Sequence, residues 1–173
     1  MTGTNKQTSY LDHNATTPLR RCAKDGVIAA MEKVGNPSSI HSHGRAARKL
    51  VETARKQIAE TLDVSNGQVY FNSGATEGNN TILKGFAGKR ILASSIEHPS
   101  ILNTDISVEQ IPVTKDGVVD LDAFTKLLSL APTALVSVML VNNETGVIQP
   151  IAEISRIAKA AGTLVHCDAV QAY

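Results

Sequence analysis

From about Arg45 onward the apolar positions alternate between helical spacing and short unbroken runs. Ala47, Leu50, Val51, Ala54, Ile58 and Leu62 recur every three or four residues, and Arg48, Lys49, Glu52 and Lys56 fill the other face, which predicts an amphipathic helix. The runs Val69–Phe71, Arg90–Ala93, Val108–Val113, Ala134–Val141 and Thr163–Cys167 have lengths that suit buried strands. A further helix opens at Pro150, carries Ile151, Ile154, Ile157, Ala158 and Ala161 along one side, and stops at Gly162. Lys115-Asp116-Gly117 signals a turn, after which Asp120 caps a helix reaching Leu128. This rhythm predicts an α/β fold with a mainly parallel sheet flanked by helices. Residues Met1 to Ser39 are less regular, with a polar Leu11–Pro18 stretch and a turn or loop at Gly35–Ser39.

Composition narrows the function classes. A chain of 173 residues, 42% of them hydrophobic, can bury one sizeable core, and its length suggests a single domain. The 17 basic and 16 acidic residues leave a net charge of +1, which argues against nucleic-acid or membrane partners. Aromatic residues make up 3% of the chain and tryptophan is absent, so bases would find few stacking platforms. No apolar run approaches the ~18 residues of a membrane span, and Met1–Tyr10 has no signal-like apolar stretch, so a cytoplasmic location is expected. Cys22 and Cys167 form no CxxC pair and are expected as reduced thiols. His13, His41, His43 and His166 show no ligand spacing, and no metal site is expected.

In an open parallel sheet, ligands bind beyond the carboxyl ends of the strands. Asn72-Ser73-Gly74-Ala75-Thr76-Glu77-Gly78-Asn79-Asn80 follows the first apolar run, and its small residues let backbone N–H groups approach an anion at a helix start. The same residue types also make an ordinary capped helix N-terminus. Ser94 to Ser100 brings His98, an imidazole that can stack on a flat ring or simply cap and pack. Asn142-Asn143-Glu144-Thr145-Gly146 places Asn143 where it can bond a ring oxygen or a carboxylate, or serve only as loop. The last run delivers Asp168, with Gln171 three residues later. A carboxylate there can hold a proton on a pyridine nitrogen, or cap a helix. Together the four stretches supply a phosphate site, a stacking ring, an amide and an acid at neighbouring edges of one sheet.

Tyr10-Leu11-Asp12-His13-Asn14-Ala15-Thr16-Thr17-Pro18, Gly35-Asn36-Pro37-Ser38-Ser39, Ser73-Gly74-Ala75-Thr76-Glu77, Glu97-His98-Pro99, Asn142-Asn143-Glu144-Thr145-Gly146 and Asp168-Ala169-Val170-Gln171 resemble the cysteine desulfurases of the NifS/IscS type. These are class V aminotransferase-family, fold-type I enzymes dependent on pyridoxal 5′-phosphate (PLP), and the resemblance runs in order over nearly the whole chain. It implies that Ala75 and Thr76 bind the PLP phosphate, that His98 lies over the ring as a catalytic and cofactor-binding residue, and that Asn143 sits near the ring oxygen and the substrate carboxylate. It further implies that Asp168 pairs with the pyridine nitrogen, Gln171 bonds the phenolic oxygen, and Asn36 helps form the substrate entrance. Residues 1–40 would be an N-terminal arm with that entrance loop, and residues 41–173 part of the PLP-binding large domain.

The family's Ser-x-His-Lys segment with its Schiff-base lysine, its persulfide-forming cysteine and its small C-terminal domain would come after Tyr173. The lysines of this chain, from Lys6 to Lys159, lie outside that motif and read as solvated surface charges. Cys167, inside the last apolar run, and Cys22, with no motif around it, lack the mobile exposure that a persulfide thiolate needs. The resemblance therefore implies a desulfurase converting L-cysteine to L-alanine with sulfur passed on for iron–sulfur clusters or thiolated cofactors, here as an N-terminal fragment or split half. A homodimer and a sulfur-acceptor protein are implied partners. The alternatives are a non-catalytic remnant with the same fold, or a related selenocysteine lyase or aminotransferase, since the ring-binding residues serve any reaction at an α-carbon.

Overall fold

The computed structural model describes residues 8–172, so Lys6, expected as a surface charge, lies outside them. The described residues fall into two compact units that divide between Phe71 and Asn72.

In the first unit, α1 (Arg21–Met31) and α2 (Ser42–Leu62) are followed by a 3-10 turn at Asn66–Gln68. Helix α2 is the amphipathic helix that the spacing predicts, extended back to Ser42, with His41 Nδ1 accepting from the Gly44 N–H at 3.3 Å. Helix α1 replaces the irregular stretch expected there. It has no side-chain cap, carries Gly26 in its interior and buries no residue, so neither its boundaries nor its face stood out. The Gly35–Ser39 turn forms as expected, with Asn36 Oδ1 accepting from the Ser38 N–H at 2.9 Å and Asn36 O from the Ser39 N–H at 2.9 Å. Gly44 is required beside this turn: a Cβ there would lie 2.3 Å from Ser39 O.

One expected strand is absent. Val69–Phe71 belongs to no strand, although Val69 itself has extended angles of φ −101 and ψ 120. Its carbonyl accepts from the Arg55 guanidinium, which also lies 4.9 Å from the centre of the Phe71 ring. Strand-like residues without a ladder partner remain extended chain.

The second unit holds the sheet. Strands β1 (Ile91–Ser94), β2 (Glu109–Ile111), β3 (Leu135–Ser137) and β4 (Leu164–His166) are ordered β2-β1-β3-β4 and all neighbours run parallel, as the alternation predicts. The ladder strands are shorter than the apolar runs, and β3 covers only the start of Ala134–Val141. Beyond it the pairing continues as single bonds, with Val138 N–H donating to His166 O at 3.1 Å and Leu140 N–H to Asp168 O at 2.8 Å.

Alternate residues of the central strands face opposite layers. Leu92, Val136 and Val138 pack with Phe124 of α5 (Leu121–Leu130) and with Ile154 and Ala158 of α6 (Ile151–Ala160). Ile91, Ala93 and Leu135 pack with Leu83 of α3 (Ala75–Gly85) and Ile101 of α4 (Pro99–Leu102). Asp120 caps α5, its Oδ1 accepting from the Ala123 N–H at 2.9 Å. Arg90 clips the other rim, donating to Glu109 Oε2 at 2.8 Å and to Leu127 O at 2.9 Å. Covered on both faces, the sheet can carry continuous apolar runs rather than alternating ones. Its β1, β3 and β4 exits are brought level by the register pairs Ala93↔Ser137 and Ser137↔His166.

Candidate active site at the strand exits

The exits of β1, β3 and β4 and the start of α3 carry most of the polar residues singled out above. At the α3 start, Gly74 has φ 153, a conformation open in practice to glycine alone, and a Cβ there would meet nothing within 4 Å. Asn72 Oδ1 fixes this turn by accepting from the Gly74 N–H at 3.0 Å. Glu77 accepts on Oε2 from the Ser73 N–H at 2.7 Å and the Ser73 hydroxyl at 2.5 Å, and these two bonds hold its carboxyl below the usual range. Helix geometry gives the N–H groups of Ala75 and Thr76 no carbonyl one turn earlier, and both residues are exposed. The helix thus opens with free donors facing an uncluttered surface.

One turn further along α3, Asn79 is 4% exposed and joins two other elements. Its Nδ2 donates to Asp168 Oδ2 at 2.8 Å and to Ser100 Oγ at 3.0 Å. Ser100 Oγ in turn lies 2.8 Å from His98 Nδ1, which also accepts the Ser100 N–H at 3.1 Å. The other oxygen of Asp168 accepts from the Val170 N–H at 3.1 Å. One hydrogen-bonded chain therefore links the helix bearing Thr76, the imidazole that caps α4 and the acid after β4.

The β1 and β3 exits are tied by residues immediately before those expected to act. Glu97, 4% exposed, accepts on Oε1 from the Ser94 hydroxyl and from the Met139 N–H, while its Oε2 is buried with no partner. Burial pushes its pKa up to about 7, against the two hydrogen bonds that lower it, with the nearby Asp168 charge adding to the rise. Asn142 donates to Ile96 O at 3.0 Å, and its Oδ1 accepts from the N–H groups of Glu144 at 3.0 Å and Thr145 at 2.9 Å. Asn143, next in the chain, is half-buried and donates to Glu144 Oε1 at 2.9 Å. Gln171 lies half-buried in the turn closed by Ala172 N–H on Ala169 O at 2.9 Å.

Two expectations change in detail. The turn expected to bind an anion follows an extended segment rather than a strand, so three of the four stretches are strand exits. Cys167 sits just past β4 instead of inside it, half-buried, and burial first, then Glu97 and Asp168, push its thiol upward. His166 faces Ser137 Oγ at 2.9 Å, and burial lowers its pKa. Asn36 belongs to the other compact unit. Every described lysine is exposed, and among the described residues no group of three or more His, Cys, Asp or Glu could hold a metal ion. No helix among the described residues is long and apolar enough to cross a membrane.

The motifs did not flag Asn79, Ser100, Glu97 or Asn142 as functional. Their partners are distant in sequence; Asn79 and Asp168, for instance, are 89 residues apart. The only advance signal was that each stands within three residues of a residue already singled out.

Comparison with known proteins identifies the family and the fold. The chain is 41% identical over 180 residues to the cysteine desulfurase IscS of Dictyoglomus turgidum, covering 96% of this chain and 45% of that protein. The X-ray structure of a NifS-like protein from Rickettsia africae superposes with a TM-score of 0.85 at 43% identity, over 91% of this chain and 46% of that one. The structure of SspA in complex with cysteine gives a TM-score of 0.85 at 30% identity, over 96% of this chain and 52% of the other. The chain thus spans about half the length of the relatives it matches. Residues 9–173 match the family described as Aminotransferase class-V, whose members include PLP-dependent enzymes, and the chain belongs to that family.

Proposed function

We propose that this chain forms the cofactor-holding part of a PLP-dependent cysteine desulfurase. The observation that carries the reading is the Asn79 bridge. It ties the helix whose first turn offers free N–H groups to the carboxylate of Asp168 at 2.8 Å, so an anion pocket and an acid share one edge of the sheet. The residues fit the cofactor's chemistry: the Gly74 turn leaves the Ala75 and Thr76 donors uncovered, and the neighbouring Glu77 carboxylate is spent on Ser73.

When bound, the cofactor supplies an electron sink for the pair released as a bond at an amino acid's α-carbon breaks. The N–H groups of Ala75 and Thr76, with the Thr76 hydroxyl, hold its phosphate. Asp168 keeps a proton on the pyridine nitrogen, and Gln171 donates to the phenolic oxygen. His98 would lie against the ring face, and Asn143 would orient the substrate carboxylate. The similarity to proteins named as the cysteine desulfurase IscS and as NifS-like, and the SspA structure in complex with cysteine, support L-cysteine as substrate. A homodimer and a sulfur-acceptor protein complete the reading.

Calorimetric titration with pyridoxamine 5′-phosphate, which binds without a covalent anchor, tests the cofactor site directly. Saturable binding is expected, weakened about tenfold by Asp168→Ala or Thr76→Val, in line with one lost charged or phosphate contact. Absence of saturable binding, or binding indifferent to both substitutions, refutes the site. Release of alanine from L-cysteine by the whole protein, with matching sulfide when a dithiol reductant is added to reduce the persulfide sulfur, and neither in a selenocysteine-specific or transaminating enzyme, tests the substrate.

A further inference from the structure

The chain of polar groups from α3 to the β4 exit has only one arrangement of its hydrogens. Asp168 accepts on both oxygens, so Asn79 must turn its Nδ2 toward it; a flipped amide would set its oxygen against a carboxylate. The same Nδ2 spends its second hydrogen on Ser100 Oγ. Ser100 Oγ is thereby an acceptor from Asn79, and its own hydrogen is free to go to His98 Nδ1 at 2.8 Å. Nδ1 also accepts the backbone N–H of Ser100, which can only donate. The lone pair of Nδ1 is committed twice, and the ring proton therefore sits on Nε2.

We infer that Asn79 and Ser100 are positioning residues that hold His98 as its Nε2–H tautomer and couple that choice to the carboxylate of Asp168. Resting on the function proposed above, this makes Nε2 the atom through which His98 meets cofactor or substrate, while Nδ1 stays out of proton transfer. It also joins the two groups on which the ring depends, the acid at its nitrogen and the imidazole at its face, through a single buried amide.

The test reads the tautomer in this chain without cofactor. Long-range 1H–15N correlation spectra of the histidine rings at pH 8 should show His98 with a protonated Nε2 and a bare Nδ1, the Nε2–H form favoured by at least about tenfold, as two hydrogen bonds to Nδ1 require. Asn79→Leu, which keeps the shape and removes the donors, should lower that ratio about threefold or more, and so should Ser100→Ala, whose half-exposed site keeps a second variant available should the first not fold. An Nδ1–H ring in the unaltered chain, or a ratio unchanged in a folded variant, overturns the inference. Pyridoxamine 5′-phosphate titration run beside the spectra separates the two readings: no binding by the unaltered chain removes the proposed function, whereas the tautomer ratios alone decide the roles of Asn79 and Ser100.

Discussion

Helices α2 and α6 carry the same kind of sequence pattern and meet different fates. Helix α2 is 21 residues long and has a clear apolar stripe, yet it buries only Gly44 and Ala59 and leaves Leu50 49%, Ile58 39% and Leu62 40% exposed. Helix α6 is 10 residues long and buries Ile154 and Ala158 completely. The difference is the partner. One helix lies on a sheet whose strands present Val136 and Val138, while the other belongs to a unit with no sheet among its described residues. An amphipathic pattern specifies a helix and its apolar side, and what covers that side is a separate question.

The contrast can be broken most severely at the core of the second unit. Phe124, fully buried between α5 and the sheet, should cost about 3–5 kcal/mol on replacement by Ala, measured by urea unfolding. A loss below 1 kcal/mol would mean that this unit is no better packed than the first.

Next in size is Glu97. Its pKa rises from 4.5 to about 7 on folding, so the protonated form is favoured in the native state. Stability is therefore unaffected below pH 4.5 and falls as pH climbs through 7. At 1.36 kcal/mol per pH unit the full loss is on the order of 3 kcal/mol. Glu97→Gln should abolish this dependence, gaining on the unaltered chain between pH 5 and 8 in paired unfolding curves. Parallel curves for the two proteins would rule out a buried, neutral carboxyl.

Smaller effects sharpen the comparison. Asp120→Ala removes the cap of α5 and should cost about 1 kcal/mol in the same assay. Val27→Ser on α1, at a site 53% exposed, should stay within about 0.5 kcal/mol. A larger loss would show that the α1 face is covered by something in solution.

Much of the second unit was legible because its signals are local. The turn at Gly117, the cap at Asp120 and the Pro150 to Gly162 helix each rest on residues a few positions apart, and all formed. Val69–Phe71 misled because a strand is defined by its neighbour, and Arg55 took the carbonyl that a neighbour would have used. Helix α1 escaped notice for the complementary reason, having neither cap nor buried face. At the site, Thr76, His98 and Asp168 could be placed from the order of apolar runs. The side chains that bind them together could not: Asn79 reaches 21 residues to Ser100 and 89 to Asp168, and only the register of the sheet closes those gaps.

Among the described residues, strand β4 lies at one margin of the sheet and pairs only with β3, and its Leu164 is 62% exposed. A rim of this kind offers unspent backbone donors and acceptors next to an oily side chain, the combination on which chains add to one another in rows. In concentrated solution these residues by themselves thus face a contest between orderly folding and edge-to-edge accretion, and a charged side chain at that margin would tilt it toward the monodisperse form.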